Sequence, residues 1–397
     1  MLRVLRRRDF ALLWTGGLVS VAGDWMLNAA LPFYVYERTG STVATAGMVV
    51  AELAPGVVAG TFAGAFVDRH DRRRVLVAAN LVQAATVCVL LLVTSPELLW
   101  LVYAVAAAQS LLAAFSVPAE AALLPALVPD ADLVAANALN ALNNRAGKLV
   151  GAPTGAALLG WTGLGGVVVA DAGTFVVAAL LVRAVAAPPR PPRVAGAPGM
   201  FHDWLEGLQV VRRDRQVLVL AAVLGLMTFG GTMLDPLQVA GVRDVLGRGP
   251  QVYAWLLWIH AGFGIAGTLV VGRFGSRVTP RQLMGWSSVV AGVALLVRFD
   301  VPWLPLALAL AAVSGVTSVA ASVGVETLVQ RSVRDEHRGR VYGALGANGA
   351  LLSLAGASVG GVCAEWVGVV PMLDVASCLV LASGLVVLWA YGAPSRS

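Results

Sequence analysis

Charge is scarce in this sequence, and one kind of charge is almost missing. Asp, Glu, Lys and Arg together make up 13% of the 397 residues, about half of what a soluble domain carries. A single water-soluble core is thereby excluded. Lysine occurs once, as Lys148, and the other 27 basic residues are arginine. Cysteine occurs three times, as Cys88, Cys363 and Cys378, each within an apolar stretch and without metal-ligand or disulfide-framework spacing. Small packing residues are the expected role. A nucleotide-binding P-loop, a metal-binding histidine pair and a nucleophile elbow are lacking too. ATP-driven pumping and hydrolytic chemistry therefore have no support, the chain is not expected to be an enzyme, and no cofactor or metal is expected. A cleavable signal peptide is not expected either: Met1–Asp9 is basic, but the apolar segment after it is too long and lacks a processing site.

What is present is hydrophobicity, at 58% of the chain, arranged in runs long enough to cross a bilayer. Twelve spans are expected at 10–36, 43–67, 74–94, 98–125, 133–160, 164–186, 216–239, 252–274, 281–299, 303–328, 341–365 and 368–391. Between the sixth and seventh lies a Pro- and Gly-rich stretch, Ala187–Gly199. Phe201–Gln216 follows, with an apolar stripe of Trp204, Leu205, Leu208 and Val211 and a terminal cluster of Arg212, Arg213 and Arg215; it reads as an interfacial helix. The expected organisation is thus a six-helix bundle over 1–186, a cytoplasmic linker over 187–215 and a second six-helix bundle over 216–397.

The basic residues set an orientation. Twenty-two of them fall on one side, four (Arg38, Arg243, Arg248 and Arg298) on the other, and Arg145 and Lys148 lie within a span. The positive-inside bias places both termini in the cytoplasm. The net charge of +6 is therefore a signature of topology, and no nucleic-acid partner is expected. Arginine in place of lysine, with abundant Ala, Gly and Val, suggests a GC-rich bacterial genome and hence a bacterial cytoplasmic membrane.

The chain also repeats itself. A shift of 205 residues superposes Asp130 on Asp335, Asn143 on Asn348, Gly151 on Gly356, Gly155 on Gly360, Trp161 on Trp366 and Gly163 on Gly368. A shift of 208 superposes Gly64, Phe66, Arg69 and Arg73 on Gly272, Phe274, Arg277 and Arg281. Two six-span halves joined by a linker point to a duplicated transporter architecture, in which the substrate site lies between repeats.

The most unusual span is the fifth. Asn137, Asn140, Asn144, Lys148, Gly151 and Gly155 recur at spacings of three and four and so share a helical face. A polar, small-residue face within a membrane span is expected to look onto other helices or a water-filled cavity. Among the acids, Asp24 lies near the middle of span one, on a face with Gly17, Ser20 and Asn28, and Glu52 lies in span two beside Pro55 and Gly56. Charge at such depth is costly without a role, so these two are the candidate proton carriers. Glu120, Glu326, Asp171 and Asp374 are read as structural acids. Lys148, Arg145, Asn144 and Asn28 are candidate cavity or charge-relay groups. Trp25, Trp255 and Trp258 are candidate lining aromatics, and His260 beside the last two could carry a proton or simply pack.

The loop after span two reads GAFVDRHDRRRVLV, from Gly64 to Val77, with a degenerate copy at Gly272–Arg281. With LLWTGGLVSVAGDW (12–25), PAEAALLPALVPDADLVAANALN (118–140), ADAGTFVVAALL (170–181) and DEHRGRVYG (335–343), the sequence resembles the major facilitator superfamily. Within it the resemblance is to the drug:proton antiporter-3 branch of macrolide and siderophore exporters, and it covers nearly the whole chain. It implies an all-α membrane protein with twelve transmembrane helices in two pseudo-symmetric bundles, working by alternating access. Gly64, Asp68, Arg69, Arg72 and Arg73 match the superfamily's loop motif, which implies a cytoplasmic gate. Gly147, Gly151, Pro153 and Gly155 correspond to the span-five motif of its antiporters, which implies a hinge. The expected function is proton-coupled export of amphipathic small molecules such as drugs or secondary metabolites. The expected partners are that substrate, protons and the lipid bilayer, with the monomer as the working unit. A lysophospholipid or siderophore transporter of the same fold, and a non-transporting membrane sensor or assembly partner, are the alternatives.

Overall fold

The structure is a computed structural model and describes residues 2–186, 215–332 and 335–390. Among these, eleven helices are long and apolar enough to cross a membrane. One of them, Leu133–Arg183, is two spans run together, because Gly163 at φ 70° and ψ −169° breaks its helical path. Counting its limbs separately gives twelve spans: α1 (Arg8–Thr39), α2 (Thr42–Arg69), α3 (Arg72–Cys88), α4 (Trp100–Leu123), α5 (133–162), α6 (164–183), α7 (Arg215–Ala240), α8 (Pro250–Phe274), α9 (Pro280–Asp300), α10 (Leu304–Ser332), α11 (Asp335–Val367) and α12 (Val369–Ala390). The expected linker and interfacial helix lie outside the described residues except at 215 and 216, which belong to α7.

Local chemistry explains several helix starts. Asp71 is the N-cap of α3, its carboxylate accepting from the backbone N–H of Arg74. Thr279 and Gln282 form a reciprocal capping box at the start of α9, with Pro280 in its first turn. Proline also stands inside α1, α2, α4, α5 and α7, at Pro32, Pro55, Pro118, Pro153 and Pro236. Membrane helices tolerate it because neighbouring groups re-satisfy the freed carbonyl.

The chain divides into two compact units, Met1–Thr39 with Gly47–Ala195, and Gly40–Ala46 with Gly196–Ser397. Within the first, α1 packs along both limbs of the broken helix. Gly16 meets Ala178 and Val182 of α6, Gly23 meets Asp171 and Thr174, and Gly147, Gly151 and Gly155 of α5 meet Val21, Ala22 and Met26 of α1. Phe10, Leu13, Leu76, Leu123, Leu139 and Val182 form a buried core at one end of this bundle. In the second unit Gly356 and Gly360 of α11 press against Phe229 and Met233 of α7 in the same manner, and Val217, Leu220, Met284, Leu328 and Val387 form the corresponding core.

The duplication is written into the backbone as well. Among the described residues the only positive φ values are at Gly40 (62°), Gly163 (70°), Gly247 (60°) and Gly368 (101°). Gly163 and Gly368 separate α5 from α6 and α11 from α12. Gly40 and Gly247 lie in the turns between α1 and α2 and between α7 and α8. Each turn demands a conformation that a side chain opposes, so glycine is held at equivalent places of the two halves.

Candidate functional site

Asp24 sits near the middle of α1 and lines a cavity of about 80 Å3 that lies wholly within the first unit. Its other polar lining comes from Ser20 on α1, Asn80 and Gln83 on α3, and Ser116 and Glu120 on α4. The Asp24 carboxyl makes no hydrogen bond or ion pair among the described residues. Gly17, Ser20 and Asp24 do share a face, as their spacing requires, whereas Asn28 is exposed and its amide donates to the Asp24 backbone carbonyl at 3.1 Å.

The polar face expected on α5 is divided by the packing. Gly147, Gly151, Pro153 and Gly155 are buried, while Asn137, Asn144, Arg145 and Lys148 are exposed. The Lys148 ammonium lies 4.2 Å from the centroid of the Trp25 ring, a cation–π contact one residue from Asp24. The buried stripe instead runs through Asn143, which the face expected from sequence omits. Its amide donates to the Trp14 carbonyl at 2.8 Å, and the Trp14 indole N–H donates to the Leu139 carbonyl at 2.8 Å, tying α1 to α5 twice. The signal was present as the four-residue spacing of Asn143, Gly147, Gly151 and Gly155. Asn143→Leu should cost about 0.6–1.7 kcal/mol, the range for such interhelical bonds in a bilayer. It should lower the thermal midpoint of the purified protein by a few degrees; no shift would make the pair of bonds irrelevant to stability.

The other expected residues are distributed more widely. Glu52 is half-buried on α2 and does not line this cavity. Asp68 and Arg69 are exposed at the end of α2, Gly64 has open space around it, and Arg73 is half-buried. Arg72 donates to the Ala122 carbonyl at 2.8 Å and so secures the end of α4. Arg281, the counterpart of Arg73 in the second unit, donates to the Val387 carbonyl at 3.2 Å. Trp255 and Trp258 are exposed on α8, and the backbone carbonyl of His260 stands against Gly315. Cys88 and Cys378 are exposed, so the packing role expected for them does not hold. Asp171, expected to be structural, is fully buried on α6; one oxygen accepts from the Thr174 hydroxyl at 3.3 Å and the other has no partner.

The model of the Major Facilitator Superfamily matches residues 13–241 and 223–397, which together span nearly the entire chain. The chain belongs to the major facilitator superfamily. Among its relatives, macrolide efflux protein A of Streptococcus pyogenes is 28% identical over 353 residues, covering 87% of this chain and 86% of the relative. The multidrug efflux pump Tap of Mycobacterium tuberculosis (strain CDC 1551 / Oshkosh) is 27% identical over 348 residues, covering 83% and 80%. The fold is also similar to the crystal structure of a bacterial homologue of the iron transporter ferroportin in an inward-facing state, with a TM-score of 0.70, 18% identity and 98% of each chain covered. Major facilitator membership makes this protein a multi-pass membrane transporter, and family and fold point away from an enzyme.

Proposed function

We propose that this transporter exports amphipathic small molecules in exchange for protons, with Asp24 as the principal coupling carboxyl. The observation that carries the reading is Asp24 itself, a carboxyl near mid-span that lines an internal cavity without a counter-ion. Such a group is costly in a bilayer unless protonation and release are its task. The relatives named for macrolide and multidrug efflux support the direction and the cargo class. An open groove of about 560 Å3 between α2 and α4 adds to this, lined by Pro55, Val58, Phe62, Leu111 and Phe115 with no polar side chain. It is large enough for a drug-sized apolar body. Lys148 on Trp25 supplies one cationic contact for an anionic or carbonyl-rich end of the cargo. The arginine distribution supports a cytoplasmic-membrane location with both termini inside.

The test is accumulation of a labelled macrolide and of a lipophilic fluorescent cation in cells expressing the protein, with and without a protonophore. Lower accumulation that the protonophore restores is the expected result. Efflux of either probe that persists unchanged under the protonophore would overturn proton coupling. Absence of efflux for both would overturn the cargo class.

A further inference from the structure

The cavity beside Asp24 contains a second carboxyl that the reading above does not use. Glu120 stands in the last turn of α4, and its Oε1 would be 3.2 Å from a Cβ placed at Gly17. Gly17 lies two turns of α1 before Asp24. At 1.5 Å per residue the two carboxyls are therefore about 10 Å apart along the helix axis, one near mid-span and the other near a helix end. The cavity connects them, and both line it.

Its walls suit water. Ser20, Gln83 and Ser116 contribute polar groups. Asn80 is 5% exposed, its amide nitrogen donates to the Leu76 carbonyl, and its Oδ1 has no hydrogen-bond donor. A volume of about 80 Å3 accommodates a short chain of water molecules. No cation lines the space. Arg72 on α3 is engaged with the Ala122 carbonyl, and Lys148 on α5 stands over Trp25. The other carboxyl packed on this stretch of α1 is Asp171 of α6, which stands against Gly23, the residue before Asp24. Acids, amides and hydroxyls from three helices thus share the cavity wall with apolar side chains such as Leu13, Leu76, Val117 and Val182.

We propose that Asp24 and Glu120 form a two-carboxyl relay that passes the coupling proton through water held inside the first unit. One carboxylic acid gives its proton to the adjacent water, and the other carboxylate takes a proton from the far end of the chain. No bond other than O–H forms or breaks, and the number of protons is unchanged. Glu120, in the last turn of α4, is the end of the relay nearer the membrane surface. The inference rests on the proton-coupled reading and extends it from one carboxyl to a pair.

The experiment is pH-dependent infrared difference spectroscopy on the purified full-length protein in lipid vesicles, which needs no substrate. The wild type should show two protonated-carboxyl bands that both move on transfer to heavy water. D24N should remove one band and E120Q the other. Each substitution should shift the titration midpoint of the surviving band by about one pH unit, the scale of a Coulomb interaction across about 10 Å in a protein interior. Should E120Q fail to fold, Glu120→Asp keeps the carboxyl and should displace its band alone.

Independent titration of the two groups would overturn the relay, as would a Glu120 band that heavy water leaves unmoved. Displacement of both bands when sodium replaces choline at constant pH would assign the cavity to a metal cation instead. Protonophore-insensitive efflux with the two bands still coupled would sink the proton-exchange reading and leave the linked pair standing, so the two failures are separable.

Discussion

Asp24→Asn should abolish protonophore-sensitive efflux, bringing accumulation of the probe to the level of cells without the protein. Asparagine keeps the size and hydrogen-bonding capacity of the side chain but cannot gain and lose a proton in the working pH range. Nothing in the packing of α1 depends on the charge, because the carboxyl faces a cavity and makes no ion pair among the described residues. Membrane insertion, yield and thermal midpoint should therefore remain at wild-type values, and binding of the fluorescent probe to the purified protein should persist. The informative companion is Asp24→Glu, which restores a titratable group one methylene longer and should recover part of the flux. Undiminished, protonophore-sensitive efflux by Asp24→Asn would remove this residue from the coupling mechanism.

Gly155→Val should be the most damaging single change to the structure. A Cβ at this position would stand 2.2 Å from the Met26 carbonyl oxygen, and at Gly151 2.1 Å from that of Ala22. Backbone is on the other side of both contacts, so no side chain can rotate away. α1 and α5 would have to separate along the stretch that carries Asp24. Overpacking of this kind costs on the order of 3 kcal/mol or more when the obstacle cannot move. The expected result is a large fall in folded yield and thermal midpoint, with transport lost. Gly173→Ala is the matched control, since a Cβ there meets nothing within 4 Å, and it should behave as wild type. Equal stability of the two variants would show that close approach of α1 and α5 does not govern the fold.

The glycine contacts show how much was readable from the chain. Gly151 and Gly356, and Gly155 and Gly360, stand out in sequence as a 205-residue repeat. In the fold both pairs are the points where a helix touches a neighbouring backbone, on α1 in one unit and on α7 in the other. Gly163 and Gly368 likewise repeat in sequence and take positive φ where consecutive spans part. Glycine is legible in this way because its role is local: a backbone conformation or a missing Cβ belongs to one position.

The polar residues were less legible. The spacing of Asn144, Lys148, Gly151 and Gly155 places them on one side of α5, yet periodicity does not say where along that side a neighbour lies. The actual contact follows Asn143, Gly147, Gly151 and Gly155, a line that drifts around the helix at each step of four, and it leaves Lys148 exposed over Trp25. Glu52 and Glu120 show the same limit. Each is a lone acid in an apolar span, and depth alone favours Glu52, but Glu120 is the one that faces the same cavity as Asp24.

Membrane class, twelve spans, duplication and the mid-span depth of Asp24 are thus determined by the sequence, because apolar run length, repeat spacing and position within a run can be read along the chain without its packing. The tertiary structure alone decided that Asn80 and Glu120 complete the surroundings of Asp24, and that α5 meets α1 through glycine. The physical reason is that a cavity is made by several helices at once, and the rotation of each about its own axis is set by the packing of its neighbours.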